Sequence, residues 1–538
     1  MFAFLQKRFG RYALSVLSGI LFVLCFPYSG SLTPLVFVAF VPLLLVEDQL
    51  AKSKKRGFFL HAYVTFFIYN LGTTWWIWYS TDVGAILAFV FNSLLMALGF
   101  WAYHFAKTSI GRKQGYFSLP LIWLGFEYAH FNWELSWPWL SFGNVFSIFP
   151  DWVQWYEFTG VLGGTLWVVI VNLMLFLYMK RKWLNGGKNA TSTLIFGVLF
   201  LAIPIVASYV IKSSYSFSKN KNYIEAVIVQ PNIDPYTEKF SSNLTVEEQM
   251  ERFYTLAQQK ITSSTRLIIG PETAISQGFF ESDISIYPFY TQLLDTMSRY
   301  PNAELLIGAS TAKMFDKKVS VATQAFSNGE GFYESYNTSL FLYKMRNHGF
   351  IHKSKLVLGV EKIPFAAQFP FLENLAIENG GTTGTLGIED SPKVFRAAFG
   401  NIAPIVCYES IYGDFVAQQA RQNAQLLCII TNDGWWKDSP GYKQHFSFAR
   451  LRAIETRKYV VRSANTGKSG VINELGEVEK ETGWWKKDVI RARVRLNSTP
   501  TVYVTYGDYL GRSSLFVSLL ILLFAFKQWL VSKLKKTV

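Results

Sequence analysis

The chain has 538 residues, half of them hydrophobic, 17% aromatic and only 17% charged; soluble domains carry roughly 25% charged residues, so a wholly soluble protein is excluded. The mean hydropathy of +0.19 is too low for a chain made only of membrane spans. Three cysteines (Cys25, Cys407, Cys428) and six histidines without HExxH or paired spacing exclude a disulfide framework and give no expectation of a structural metal.

Seven apolar segments precede residue 213, near 11–28, 32–46, 57–79, 83–105, 116–131, 158–179 and 193–211, and an eighth lies near 513–531. Most are long enough to cross the roughly 30 Å hydrocarbon core as helices, the second and fifth being short. The basic residues sort by side. Lys7, Arg8 and Arg11 stand at the first segment. Lys52, Lys54, Lys55 and Arg56 follow the second. Lys107, Arg112 and Lys113 follow the fourth, and Lys180, Arg181, Lys182 and Lys188 the sixth. Lys527, Lys533, Lys535 and Lys536 lie in or after the last. Loops 29–31, 80–82 and 132–157 hold no Lys or Arg. The positive-inside rule makes both termini and the basic loops cytoplasmic and puts residues 213–512 on the opposite side. The cytoplasmic segments carry 18 basic residues against two acids, Glu47 and Asp48, which accounts for the net charge of +15 without a nucleic-acid partner.

The basic start and Cys25 imitate a lipoprotein signal peptide. Phe22-Val23-Leu24 lacks the small residues that cleavage requires, so the first span is expected to be retained. Loop 132–157 contains Trp133, Trp137, Trp139, Trp152 and Trp155. Two readings stay open: an aromatic interface belt, or a re-entrant platform that holds lipid chains.

Between 213–222, a Ser/Lys/Asn-rich linker, and the last span, apolar strands alternate with amphipathic segments. Strands are expected at Tyr223–Gln230, Arg266–Gly270, Ala303–Gly308, Tyr336–Tyr343, Phe350–Val357, the run into Cys407, Leu426–Thr431 and Val460–Ser463. Helices are expected at Thr245–Ile261, Ile284–Ser298, Tyr412–Asn423 and His445–Lys458. This is the pattern of a layered α/β domain, in which functional groups gather at one end of the strands.

Three polar groups sit at or near strand ends. Glu272 follows Leu267-Ile268-Ile269-Gly270-Pro271, Lys353 lies in Phe350-Ile351-His352-Lys353, and Cys407 ends its own strand. A carboxylate, a cation and a thiol can serve as base, oxyanion stabiliser and nucleophile. Taken singly, each has a plainer reading: a helix-start acid, a surface lysine, a buried small thiol. Cys428 is followed by Ile429-Ile430-Thr431, so it is mid-strand and reads as core.

The order Glu, Lys, Cys, set in Gly270-Pro271-Glu272-Thr273-Ala274, His352-Lys353-Ser354-Lys355-Leu356-Val357 and Val406-Cys407-Tyr408-Glu409-Ser410, resembles the nitrilase (carbon–nitrogen hydrolase) superfamily. Seven spans before such a domain and one after it resemble the apolipoprotein N-acyltransferase family of the bacterial inner membrane. Gln230-Pro231-Asn232-Ile233, Ser136-Trp137-Pro138-Trp139, Thr431-Asn432-Asp433-Gly434-Trp435-Trp436, Gln444-His445-Phe446, Arg462-Ser463-Ala464-Asn465 and Tyr506-Gly507-Asp508 support it.

The resemblance implies a polytopic α-helical membrane protein with an α/β nitrilase-like (α-β-β-α sandwich) extracytoplasmic domain. Its parts are a seven-span membrane domain over 1–212, a catalytic domain over 222–497, and a C-terminal transmembrane helix with a short tail over 511–538. It further implies catalytic Glu272, Lys353 and Cys407 and no cofactor. A phospholipid would be the acyl donor and a diacylglyceryl apolipoprotein the acceptor, with a Cys407 thioester between them. Glu361 keeps the spacing of a second active-site carboxylate, and Tyr408 and Glu409 adjoin the nucleophile. One stretch departs from the family: Leu358-Gly359-Val360 stands where the family has a proline and a glycine one place later, which puts that loop's shape in question. Trp435, Trp436, Gly278-Phe279-Phe280 and Phe365–Phe371 are expected to line a lipid path, to dip into the interface, or simply to pack. His445 reads as a structural histidine opening its helix. The competing readings are a membrane-anchored amidase with water as acceptor, and a transporter or silent binding protein. The spans are poor in charge apart from Glu127, which speaks against transport.

Overall fold

The computed structural model describes all residues except 1, 185–186, 188, 216–221, 241–242, 344–346, 370, 372–384 and 538. The chain forms two compact units. One comprises Met1–Trp78, Asp82–Tyr215 and Asp508–Val538; the other comprises Tyr79–Thr81 and Ser216–Gly507.

The first unit is helical. Among the described residues six helical stretches are long and apolar enough to cross a membrane: Arg8–Cys25, Thr33–Ser53, Gly84–Ile110, Tyr156–Trp183, Ala190–Ser214 and Tyr509–Lys535. Two further helices are shorter. Ser118–Phe131 has 14 residues, as the short fifth segment suggested. The third segment, expected as one span over 57–79, ends its α-helix at Thr74 and continues as a 3-10 turn over Trp75–Tyr79. There the Thr74 hydroxyl donates to the Asn70 carbonyl and the Trp76 indole to that of Thr73, side-chain bonds that compete with regular helix geometry.

Several buried polar groups in this unit are held by multiple partners, as an apolar surround favours. Glu127 accepts hydrogen bonds from Trp123 Nε1 (3.0 Å), Ser141 Oγ (2.8 Å), Thr165 Oγ1 (2.8 Å) and the Phe142 amide (3.3 Å). The acid singled out in the spans is thus a fixed structural tie. The tryptophan-rich loop folds into three 3-10 turns, Pro138–Leu140, Phe142–Ile148 and Pro150–Trp152. Trp139 is buried, stacks on Trp137 and packs at a tilt against Trp76, so this residue is core, not interface belt.

The second unit is built from fourteen described strands: β1 (Tyr223–Gln230), β2 (Thr265–Ile269), β3 (Ile275–Phe280), β4 (Glu304–Phe315), β5 (Gln324–Ala325), β6 (Phe332–Tyr343), β7 (Asn347–His352), β8 (Phe395–Ala397), β9 (Gly400–Val406), β10 (Leu426–Thr431), β11 (Val460–Ala464), β12 (Gly470–Ile472), β13 (Val478–Glu481) and β14 (Asp488–Arg495). One sheet runs β14-β1-β2-β4-β6-β5, with β3 on β4 and β7 on β6; the other runs β13-β12-β11-β10-β9-β8. The β1-β2-β4 and β9-β10-β11 pairs are parallel, so each return needs a crossover. Helices Val246–Gln258, Pro288–Ser298, Gly413–Arg421 and Pro440–Thr456 lie on those crossovers.

Period-two alternation then builds two layers of core. Ile224, Ala226 and Ile228 of β1 face Ile402, Val406, Leu426 and Ile430 between the sheets. Val227 and Val229 turn outward with Ile268 and Leu305, under Met250, Phe253 and Leu293 of the first two helices. The result is an α-β-β-α sandwich. Cys428 sits in its inter-sheet core, in mid-strand.

Some expected elements differ. The Phe350–Val357 strand stops at His352, because beyond that point the chain leaves β6. The Ile284–Ser298 helix begins at Pro288, after a 3-10 turn. Gly278-Phe279-Phe280 belongs to β3, and Phe279 is buried among Phe289 and Tyr287; it is core, not a lipid-contacting residue. The helix holding His445 starts at Pro440 and is capped by Ser439 Oγ, which accepts from the Gly441 amide, so His445 lies inside it.

Candidate active site

Parallel register brings the C-terminal ends of β2, β4, β9 and β10 to one edge. At that edge β2 ends in Gly270-Pro271. The Gly270 amide still bonds to the Leu306 carbonyl (2.8 Å), and Pro271, which has no amide hydrogen to extend the ladder, accepts from Gly308 (3.0 Å). Glu272 follows, and Thr273 turns the chain with φ of +45°. A side chain at Gly308 would bring its Cβ within 2.6 Å of the Glu272 Cα. Glycine is therefore what lets β4 lie directly against the Glu272 turn.

Lys353 stands one residue beyond β7 and donates its amide to the Asn337 carbonyl (2.8 Å). Its buried ammonium lies between two buried carboxylates: Nζ is 3.2 Å from Glu272 Oε1 and 2.8 Å from Glu361 Oε1. Asn337 Nδ2 donates to the same two oxygens, at 2.8 and 3.0 Å. Two donors and two acceptors thus close a square. The Asn337 orientation follows from it, since a flipped amide would set its oxygen against two carboxylates. Burial pulls the Lys353 ammonium down, but Glu361, Glu272 and the Cys407 sulfur overcome it and hold it above the ordinary lysine range.

Glu361 reaches the square from the divergent loop. Its amide donates to the Val357 carbonyl (2.9 Å), its Oε2 accepts from the Val357 amide (2.8 Å), and Gly359 closes the turn at φ +82° with its amide on the Lys362 carbonyl (2.8 Å). The displaced glycine thus occupies the position where this loop needs a left-handed residue.

Cys407 directly follows β9 and has φ of +51°, opening the tight turn Cys407–Ile411. Such a conformation costs a non-glycine residue about 1–3 kcal/mol and persists only where the surroundings impose it. They do so here. Its carbonyl accepts from Ser410 Oγ (2.7 Å) and from His445 Nε2 (3.1 Å). His445 Nδ1 is 2.9 Å from Asp433 Oδ1, and Arg462 Nη2 donates to both Asp433 oxygens (3.1 and 2.8 Å). Burial raises the Asp433 carboxyl, but Arg462 and His445 hold it down at about 2. His445 is thus a brace for the cysteine's main chain. The Cys407 thiol itself is pushed above its ordinary range, by burial first and the Glu272 charge second, with Lys353 opposing.

Glu409 joins the two halves of the site. Its Oε2 accepts from the Val406 amide (2.8 Å) and its Oε1 from the amides of Ser354 (2.6 Å) and Lys355 (3.3 Å). It therefore ties the strand before the cysteine to the segment after the lysine. Glu409→Gln would turn an amide N–H toward a backbone N–H. It should cost about 1–3 kcal/mol of stability and slow any chemistry at Cys407, to be checked by thermal melting and single-turnover acylation. Tyr408 is buried and packs edge-on against Tyr412. Trp435 lies against Phe240 and Tyr236, and Trp436 against the His445 ring. Phe369 and Phe371 are exposed; Pro370 between them lies outside the described residues.

Comparison with known proteins matches both halves of the chain. Residues 18–174 fit the apolipoprotein N-acyltransferase N-terminal domain and residues 225–502 the carbon–nitrogen hydrolase family. A curated apolipoprotein N-acyltransferase of Chlorobaculum tepidum is 31% identical over 92% of this chain and 92% of its own length. The chain belongs to the apolipoprotein N-acyltransferase family. One from Geobacter metallireducens is 26% identical over the same shares.

Within this acyltransferase, several motifs that carry the resemblance are structural ties between distant segments. Gln230 Oε1 accepts from Ser469 Oγ (2.8 Å) and Thr482 Oγ1 (2.6 Å), and Asn465 Nδ2 donates to the Ile233 carbonyl (2.7 Å). The structure brings Glu272, Lys353 and Glu361 into direct contact and sets Cys407 close enough to share their charges. Asn337 and Lys239 join them without having been anticipated. Asn337 sits in an ordinary polar stretch of β6, and Lys239 in a loop, so neither has a local signal.

Proposed function

We propose that this acyltransferase moves an acyl chain from a phospholipid to the N-terminal α-amine of a diacylglyceryl-cysteine, through a thioester on Cys407. The square of Glu272, Lys353, Glu361 and Asn337 beside a cysteine held at positive φ carries this reading. With its thiol pushed up by burial, Cys407 holds no standing thiolate, so attack requires a base. Glu272 takes the Sγ proton as Sγ bonds to the ester carbonyl carbon. Lys353 supplies positive charge to the oxygen that becomes anionic. The ester C–O bond then breaks, and the leaving alkoxide takes the proton back from Glu272 as the lysophospholipid departs. In the second half the acceptor amine attacks the thioester, Glu272 removes its proton, and the Cys407 thiolate leaves and is reprotonated. Glu361 holds Lys353 in place, and its own loop bond to Val357 fixes it in turn.

Both substrates are lipids, so the reaction belongs at a membrane surface. The distribution of basic residues supports cytoplasmic termini in a bacterial inner membrane and a periplasmic catalytic domain.

The test is purified enzyme with labelled phospholipid and a diacylated lipopeptide. Wild type should form a labelled thioester and pass the label to the lipopeptide amine; Cys407→Ala should do neither. Label released only to water would favour an amidase, and label reaching the lipopeptide in Cys407→Ala would end the thioester reading.

A further inference from the structure

One buried charge beside the site is unused by these steps. Lys239, in the segment between β1 and the helix Val246–Gln258, is 2% exposed, and its Nζ donates to the main-chain carbonyl of Glu272 at 2.8 Å. Its own backbone is anchored: the amide donates to the Asp234 carbonyl (2.8 Å), and the carbonyl accepts from Gln249 Nε2 (3.1 Å). The carbonyl it serves precedes the left-handed Thr273 in the turn that Gly308 closes from the other side. A buried ammonium is a costly way to satisfy one carbonyl, since a neutral donor would serve as well.

Charge balance supplies the reason. Within the square, Glu272 and Glu361 against Lys353 leave one net negative charge, and the Glu272 charge opposes thiolate formation at Cys407. Lys239 cancels it. We propose that Lys239 is a positioning residue of the acyl-transfer site: it clamps the Glu272 turn, and its ammonium offsets the second carboxylate so that Cys407 can ionise during attack. The inference rests on reading Glu272 as base and Cys407 as nucleophile. Burial, opposed by Glu272 and then Cys407, leaves the Lys239 ammonium at about 7, so its charge is present below neutral pH and is lost as the pH rises.

The test uses the full-length enzyme in detergent and reads the rate of Cys407 alkylation by iodoacetamide as a function of pH, quantified on the Cys407 peptide, in Lys239→Met, Lys239→Gln and Lys239→Arg. In the Met and Gln variants alkylation at and just below neutral pH, where Lys239 carries charge, should slow about tenfold, and the difference should close as the pH rises and Lys239 itself becomes neutral. Thioester formation at neutral pH should slow about tenfold and recover as the pH is raised. Lys239→Arg should keep the parental rate at neutral pH. Lys239→Gln retains a donor for the Glu272 carbonyl, so it carries the test if the Met variant does not fold. An unchanged alkylation rate at neutral pH, with or without a lower melting temperature, overturns the proposal. Failure of parental Cys407 to take lipid label would instead overturn the thioester reading; the alkylation rate needs no lipid and is scored independently.

Discussion

Lys353→Met is expected to lose acyl transfer by roughly 10²–10³-fold and to lower stability by about 3–5 kcal/mol. The ammonium is buried and lies 2.8 and 3.2 Å from two carboxylate oxygens. Without it Glu272 and Glu361 share only the neutral donor of Asn337, and one of them must take up a proton. The two losses have different origins and can be separated. Lys353→Met/Glu361→Gln removes one carboxylate charge together with the lysine and should recover much of the melting temperature. Its single-turnover thioester formation should stay as low as in Lys353→Met, because no cation faces the developing oxyanion. Recovery of activity in the double variant would mean that Lys353 serves only to neutralise the carboxylates.

Glu272→Gln should slow thioester formation by about 10²–10⁴-fold and at the same time make the thiol easier to ionise. Glu272 has opposing effects on Cys407. Its charge adds to burial in raising the thiol above the ordinary range, yet in the proposed mechanism its carboxylate accepts the thiol proton. Removing the charge should shift alkylation of Cys407 to lower pH, while removing the base slows attack on the phospholipid ester. The remaining acylation should climb with pH as the thiolate fraction replaces the missing base. Alkylation midpoint and acylation rate moving together, both impaired or both unchanged, would contradict a general-base role.

The divergent loop bears on how far family resemblance carries. Leu358-Gly359-Val360 lacks the expected proline, yet Glu361 still meets Lys353. The glycine, shifted by one place, takes the left-handed position at φ +82° that closes the turn. The backbone requirement is kept and the residues that meet it have moved. The acid in the fifth segment shows a similar economy: Glu127 is saturated by four donors and braces the loop that contains Ser141 and Phe142.

Much of this molecule is written in short stretches of chain. Apolar segments flanked by sorted basic residues announce the membrane unit, and period-two strands parted by amphipathic helices announce the sandwich. Runs that stop at Gly270-Pro271-Glu272 and Val406-Cys407 mark where side chains leave the sheets. Each of these is a local property: a length, a period, or a residue that cannot continue a ladder. Lys353 and Glu361 were legible only through resemblance to a family, because a lysine past a strand and a glutamate in a loop have no pattern of their own. Asn337 and Lys239 were not legible at all. Asn337 meets Glu272 across 65 positions of sequence, and Lys239 meets its carbonyl across 33. Those meetings depend on which strands pair and in what register, and on a turn tight enough to need Gly308. The brace behind Cys407 is of the same kind, with His445 38 positions away from the carbonyl it holds. Periodicity states which face of a strand is buried, but only the folded chain decides which polar groups end up sharing that burial, and here their shared charge sets the reactivity of the thiol.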